Sequence, residues 1–440
     1  MDSKDDQISK RITEAAERLE TASLDRLGRL VAAGREGREA IEDVIARSLQ
    51  TLGCQTDSFD YDPAKVPLTG EFAAETSADP SLERCLIGTA GGHAPAKGRS
   101  LILFAHPDPE PFQDIPVWQA DPFEPRMADG RMIGWGVADD LAGIAIMLQT
   151  VAVLTAAGIS LASPLTLVTA PSKSHRRGIA AALHRGLDAE AAIYLHPAES
   201  GKGLDEIKAF APGQLEFAVT IEGRPPQTNE PAHTAFAHLG INPFEEMMAV
   251  IASLKRLDAS RGERVRHPLL QEAVGRSTNL LITACDYGEA AGGSPRIAKT
   301  CRLTAAMSLV PGEELDTAKA EIAAAIVEAC QSSDWLTDHP PQIDWISGVS
   351  AAETDRQSDL YQLVSAALTQ AGANPEVNPL HTSSDIRNPV VQKSIPTVGY
   401  GPLCGGLTMA GGANEWVDAA DYFRTIAVTA TIVAAWCGTV

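Results

Sequence analysis

The sequence predicts an α/β fold: a mixed, largely parallel sheet flanked by helices, into which a smaller α+β unit is inserted. Three observations carry this. Short apolar runs alternate with helical stretches in both end regions of the chain, the pattern of strands and crossover helices in one layer. Several of those runs stop at polar side chains, where open α/β sheets bind ligands. After residue 211 the order changes to strand, helix, strand, strand, helix, strand, which is the ferredoxin-like order. The expected boundaries are 1–210 and 326–440 for a discontinuous α/β domain and 211–325 for the insertion. Both are ordinary domain sizes for a chain of 440 residues.

Each element has its own justification. Residues 6–50 read as helical because apolar positions recur at three and four: Ile8, Ile12, Ala15, Ala16 and Leu19, then Leu27, Leu30 and Val31, then Ile41, Val44 and Ile45. RSLILFA at 99–105 reads as a buried strand that ends at His-Pro-Asp. A Gly/Pro/Asp-rich loop follows, and then a long apolar helix opened by Asp139 and Asp140. PLTLVT and AAIYL read as further strands, with the helix RGIAAALHRG between them. In the insertion, QLEFAVTIEG, TNLLITACDYG, TCRLTAAMSLV and PQIDWISGV read as strands, and NPFEEMMAVIASLKRL and DTAKAEIAAAIVEACQSS as helices. The α/β pattern resumes with a helix, the strand PTVGYG and a long final helix.

Composition narrows the function classes. Asp and Glu number 57 against 36 Lys and Arg, a formal charge of −21. A nucleic-acid binder carries the opposite sign, so no nucleic-acid partner is expected. The seven cysteines are widely spaced with no C-x-x-C, which fits reduced thiols packed as small core residues and a cytoplasmic location. The charged N-terminal stretch lacks the apolar core of a signal peptide, and the weakly polar C-terminal run reads as a buried helix, so no membrane partner is expected.

The chemistry concentrates at His106 and Asp108, at Asp139 and Asp140, and at His196, each at a strand end or helix start. Two imidazoles and a carboxylate suit one divalent metal, zinc first, with iron, cobalt or nickel as alternatives. On spacing alone, the same residues read equally as polar groups along a sheet edge. Asp108 stands two residues from His106, where it could orient the imidazole.

The stretch 102–143 resembles the dinuclear zinc amidohydrolases and exopeptidases that include acetylornithine deacetylase, succinyl-diaminopimelate desuccinylase, glutamate carboxypeptidase, aminoacylase and carnosinase. Their pattern is H-x-D, a W-x-x-x-P-F-x-P loop, D-G-x-x-x-G-x-G and D-D-x-x-G. Here the loop runs from Trp118 to Pro125, and Asp129, Gly130, Gly134, Gly136, Asp139, Asp140 and Gly143 follow in step. EPAHTAFAHLGIN, with His233 and Asn242, resembles the family's lid segment, and SLVPGE at 308–313 resembles R-L-x-P-G-E. The T-S-S-D turn from Thr382 to Asp385, IPTVGYGP and NEWV also match in order, so the resemblance spans about residues 10–435.

The resemblance implies a zinc-exopeptidase-like domain with a ferredoxin-like lid that makes a homodimer, acting on a small-molecule amide or carboxylate substrate. It also implies roles: His106 as a metal ligand, Asp139 as the carboxylate bridging two metals, and His196 in a ligand position usually held by Asp or Glu. His233 would polarise the scissile carbonyl, Asn242 would face the substrate, and Asp385 would tie a loop at the pocket. Four positions depart from the family. Ser172 stands at the general-base glutamate, Lys173 at a second-metal ligand, Gly411 at the last histidine and Ser308 at the lid arginine that grips a carboxylate. One ligand set therefore survives, and both exclusive ligands of the other are gone. Lys173 would supply the missing positive charge, and His175 either replaces the lost base or faces solvent.

The expected function is hydrolysis of an amide bond in a small N-acyl amino acid or dipeptide-like substrate. The expected site is atypical, holding one divalent metal, zinc first, or none. Two alternatives stay open: non-hydrolytic chemistry on the same scaffold, such as acyl transfer, isomerisation or a lyase reaction, and a non-catalytic small-molecule-binding relative.

Overall fold

The computed structural model describes residues 4–73, 82–92, 98–109, 118–173, 175–198, 200–231, 233–288, 297–380, 385–407 and 412–440. His93, His381, Thr382 and Gly411 lie outside the described residues. The chain forms two compact units: Met1–Thr69, Ala78–Ala211 and Glu353–Val440 in the first, Gly70–Ser77 and Pro212–Ala352 in the second.

The first unit opens with three helices, α1 (Lys4–Arg18), α2 (Glu20–Ala33) and α3 (Arg38–Thr51). Gly37, at φ 101°, separates the last two in a conformation that a side chain resists. Then come β1 (Gln55–Tyr61), β2 (Glu83–Gly91), β3 (Leu101–Ala105), α4 (Ala142–Ala156), β4 (Pro164–Thr169), α5 (Gly178–His184) and β5 (Ala191–Leu195). The second unit contributes β6 (Gly213–Glu222), α6 (Pro243–Arg264), β7 (Leu280–Tyr287), β8 (Thr300–Leu309), α7 (Leu315–Cys330) and β9 (Gln342–Val349). The chain then returns to the first unit with β10 (Thr397–Tyr400) and α8 (Ala419–Cys437).

The first sheet runs β1-β2-β4-β3-β5-β10. Its β1–β2 and β2–β4 pairs are antiparallel, and the β4–β3, β3–β5 and β5–β10 pairs are parallel. It is thus mixed with a parallel half, and every residue of β3 and β5 is buried. That explains their near-continuous apolar sequence, since a central parallel strand is covered on both faces. The long apolar stretch Val137–Ala156 has the length and hydropathy of a membrane span, yet 94% of it is buried inside the unit. It is a core helix.

The second unit has the β6-α6-β7-β8-α7-β9 order and the sheet order β7-β8-β6-β9, with Glu71–Ala73 added as a fifth strand beside β9. This corrects the expected end of the insertion at 325. Residue 325 falls inside α7, whose Ile322, Ala325, Ile326 and Ala329 pack with Leu215 and Phe217 of β6. Strand β9 then pairs with β6, so the unit closes at Ala352. One further correction concerns a cysteine: Cys285 is exposed on β7 rather than packed in the core.

A buried ion-pair chain anchors α3 to the sheet. Arg38 lies 3.1 Å from Glu42 and 2.5 Å from Glu83. Burial pushes the Glu42 carboxyl up to about 7, against the pull of Arg38. The folded protein therefore holds this proton more tightly than the unfolded chain, so stability falls as pH rises from the ordinary glutamate range through about 7. Glu42→Gln should flatten that slope. At pH 8.5 it should unfold about 2–3 kcal/mol less readily relative to wild type than it does at pH 5. Urea titrations of both proteins at the two pH values check this, and parallel pH slopes would exclude it.

Candidate functional site

The site is built on the C-terminal ends of the parallel strands. Strand β3 delivers His106 and β5 delivers His196, while the segment after β4 delivers Ser172 and Lys173. Asp139 and Asp140 sit in an irregular turn, Val137–Leu141, just before α4. Both aspartates have non-helical backbone angles and are joined by a cis peptide. The expected helix thus begins at Ala142, not at the aspartates. Two features hold the turn. Glu415 accepts hydrogen bonds from Gly136 N at 3.0 Å and Ala138 N at 2.7 Å. Gly143 lets α4 approach β5, since a Cβ there would collide with Leu195 O and Asp140 Oδ1.

Asp139 is the centre of the arrangement. Its Oδ1 lies 3.2 Å from His106 Nε2 and 3.4 Å from His196 Nε2. Its Oδ2 lies 2.6 Å from Lys173 Nζ. Burial works to raise the Asp139 carboxyl, but the two imidazoles and the ammonium outweigh it and hold it well below the usual range. Burial likewise works to lower the His106 imidazolium, and carboxylates on both ring nitrogens override it, so its proton affinity rises well above normal.

Supporting groups orient these side chains. His106 Nδ1 lies 3.1 Å from Asp108 Oδ1. Asp108 also accepts from Ser172 N at 3.0 Å and Lys173 N at 3.0 Å, with Arg176 Nη1 at 3.5 Å. Arg176 Nε in turn lies 3.0 Å from Glu83, so the ion-pair chain from α3 ends at the site. His196 Nδ1 lies 2.9 Å from Pro197 O and 3.0 Å from Nζ of Lys208. Lys208 is wholly buried and also donates to His196 O and Pro197 O. Asp140 is fully buried: Oδ2 accepts from His106 N at 3.2 Å, and Oδ1 has no hydrogen-bond partner among the described residues. Burial drives its carboxyl well above the normal range, toward the neutral form.

Two of these distances suit donors to one metal ion. Donors bound at about 2.05 Å in tetrahedral geometry stand roughly 3.3 Å apart. His106 Nε2, Asp139 Oδ1 and His196 Nε2 match that spacing around the Asp139 oxygen. A carboxylate oxygen of Asp140 and one nitrogen of each histidine also lie within 4.8 Å of one another. Asp139 Oδ1 faces both Nε2 atoms, whereas Asp140 Oδ2 accepts from the His106 backbone amide. The other Asp139 oxygen meets the Lys173 ammonium.

The structure thus gathers His106, Asp108, Asp139, Lys173 and His196. Asp385 joins them through Ser172, whose Oγ donates to Asp385 Oδ2. His175 lies in the same segment with φ 60° and partial exposure. His233 and Asn242 belong to the second unit and cap helices there, accepting from Ala235 N at 3.0 Å and Phe244 N at 3.1 Å. Sequence reasoning missed Lys208, Arg176 and Glu83. Their sequence signal is weak: Glu83 opens a strand beside Arg84, Lys208 lies between two short strands, and Arg176 stands in the polar SKSHRRG stretch.

The family model of peptidase family M20/M25/M40 matches residues 102–435. An N-formyl-4-amino-5-aminomethyl-2-methylpyrimidine deformylase of Halalkalibacterium halodurans is 24% identical over 412 residues, 90% of this chain and 88% of that one. A succinyl-diaminopimelate desuccinylase of Rhodopseudomonas palustris is 24% identical over 346 residues, 77% and 81% of the two chains. The solved di-peptidase Dug1p of Saccharomyces cerevisiae superposes with a TM-score of 0.67 over 98% of both chains at 15% identity, which shows the fold. The M20 metallo-carboxypeptidase Sso-CP2 of Sulfolobus solfataricus gives the same TM-score over 95% of this chain and 98% of its own, at 14% identity. With the parallel-strand site and the ferredoxin-like second unit both in place, the match over 102–435 assigns the chain to peptidase family M20/M25/M40.

Proposed function

We propose that this chain hydrolyses the C–N bond of a small N-acyl amine, amino acid or dipeptide-like amide, using one divalent metal where the family uses two. The observation that carries this is the division of Asp139: Oδ1 toward two imidazoles, Oδ2 toward the Lys173 ammonium. His106, Asp139 and His196 would hold the cation, zinc by its donor set. Bound there, it supplies Lewis-acid chemistry, polarising an amide carbonyl and acidifying water. Asp108 accepts the Nδ1 proton of His106 and so leaves Nε2 as the ligating atom. Lys173 contributes a preorganised positive charge for the oxyanion that develops as the amide is attacked. His233 and Asn242 are assigned the carbonyl-facing and substrate-facing roles that their lid spacing suggests. The relatives' names, a deformylase of an N-formyl compound and a desuccinylase, describe removal of an acyl group and support the amide-hydrolase reading.

We also propose a homodimer through the second unit. Its edge strand β7 leaves Leu281 and Tyr287 exposed, and Phe244 and Met248 of α6 add exposed apolar area. Phe244 and Tyr287 meet edge to face at 5.9 Å. Such an edge is normally covered. Light scattering on a size-exclusion peak, with elemental analysis of the same fractions, tests both statements. The expected result is one metal per chain in a particle of two chains. Two metals per chain, or none after zinc loading, would overturn the single-metal site, and a monomeric particle would overturn the dimer.

A further inference from the structure

Hydrolysis needs a group that takes a proton from water, and the carboxylates around the site can be sorted by whether they are available for it. Asp139 is committed to two imidazoles and an ammonium. Asp108 is buried against His106, two backbone amides and Arg176. Asp140 is fully buried and accepts from the His106 backbone amide. Glu415 accepts the amides of the Gly136 turn. Asp385 differs from all four. It is partly exposed, and among the described residues the side-chain donors to its carboxylate are uncharged: Ser172 Oγ on Oδ2 and Asn388 Nδ2 at 3.1 Å on Oδ1.

Ser172 connects that carboxylate to the site. Its backbone amide binds Asp108, which holds His106, and the next residue, Lys173, touches Asp139. The hydroxyl proton points at Asp385, so the lone pairs of Oγ are left to accept. A serine alone is too weak a base to take a proton from water, whereas a serine backed by a carboxylate passes one on.

We propose that Ser172 and Asp385 form the proton relay of this site, with Ser172 touching the water and Asp385 acting through it. The proposal rests on the hydrolytic reading above. In the step, water gives one proton to Ser172 Oγ as the Ser172 proton moves to Asp385 Oδ2. The hydroxide so formed adds to the amide carbonyl carbon, and the C–N bond then breaks. The departing amine takes the proton back from Asp385 through Ser172, leaving a carboxylic acid and an amine. Asp385 therefore does more than tie a loop.

The test is a panel of N-formyl, N-acetyl and N-succinyl amino acids and dipeptides, assayed with zinc-loaded protein. Asp385→Asn should lower kcat on the order of 10²–10⁴-fold with KM little changed. In that background Ser172→Glu places a carboxylate directly at the water and should restore at least about tenfold, an outcome that a purely structural Asp385 would not produce. Activity of Asp385→Asn within about threefold of wild type would overturn the relay, as would loss without rescue in a double variant that melts like wild type. Absence of turnover of the whole panel by wild type would instead overturn the hydrolytic reading, and the relay with it.

Discussion

An Asp139→Asn variant is expected to lose its metal on gel filtration and to fall on the order of 10³-fold in kcat/KM, a barrier increase of about 4 kcal/mol. Asparagine keeps the shape of the side chain but neither its charge nor its second acceptor oxygen. The Lys173 ammonium, 2.6 Å from Oδ2 in the native protein, would then face either a neutral carbonyl or an amide N–H. The two imidazoles would no longer share an anionic partner between them. Both oxygens of this carboxylate are in use, and an amide that turns its oxygen to Lys173 turns an NH2, which cannot ligate a cation, toward the two imidazoles. Elemental analysis and a kcat/KM measurement on any panel substrate decide the matter. A variant that retains one metal per chain and turns over within tenfold of wild type would remove Asp139 from the centre of the site.

Asp108→Ala is expected to be the most destabilising substitution in the site, by about 3–5 kcal/mol. The side chain is 4% exposed and receives two backbone amides, His106 Nδ1 and Arg176. Truncation leaves those donors facing a void. Arg176 would also lose its Asp108 contact while keeping Glu83. Removing one member of a buried charged network costs far more than the network adds, because the remaining groups stay desolvated. The loss of the imidazole's orienting partner should also weaken metal binding about 10–100-fold. A urea midpoint shift at unchanged slope measures the first effect, and competition with a chelator the second. A stability loss below about 1 kcal/mol would show that Asp108 is not a hub.

Much of the scaffold was legible in the residues. Strands β3 and β5 announce themselves as uninterrupted apolar runs because both faces are covered, and each stops at a histidine. The βαββαβ order of the second unit follows from alternating and helical periodicities that are local. Its edge was misplaced at 325 because helix α7 looks the same whichever core it packs on. Its fifth strand, Glu71–Ala73, comes from far earlier in the chain, and no local pattern assigns a three-residue strand to a distant sheet.

The site divides along the same line. The sequence by itself showed that His106 and His196 follow strands, that Asp139 precedes a helix, and that serine and lysine occupy 172 and 173. It also carried the family, since the H-x-D, D-G and D-D-x-x-G spacings lie within one stretch of chain. Only the tertiary structure decided how the two Asp139 oxygens are shared, that Lys208 backs His196, and that a chain of ion pairs runs from Glu42 through Arg38, Glu83 and Arg176 to Asp108. Only there does Ser172 meet Asp385. The physical reason is range. Backbone periodicity reports which face of an element a residue lies on. The partner of a buried charge is instead set by desolvation, which requires an opposite charge or a donor within hydrogen-bond reach and is indifferent to how far along the chain it comes from.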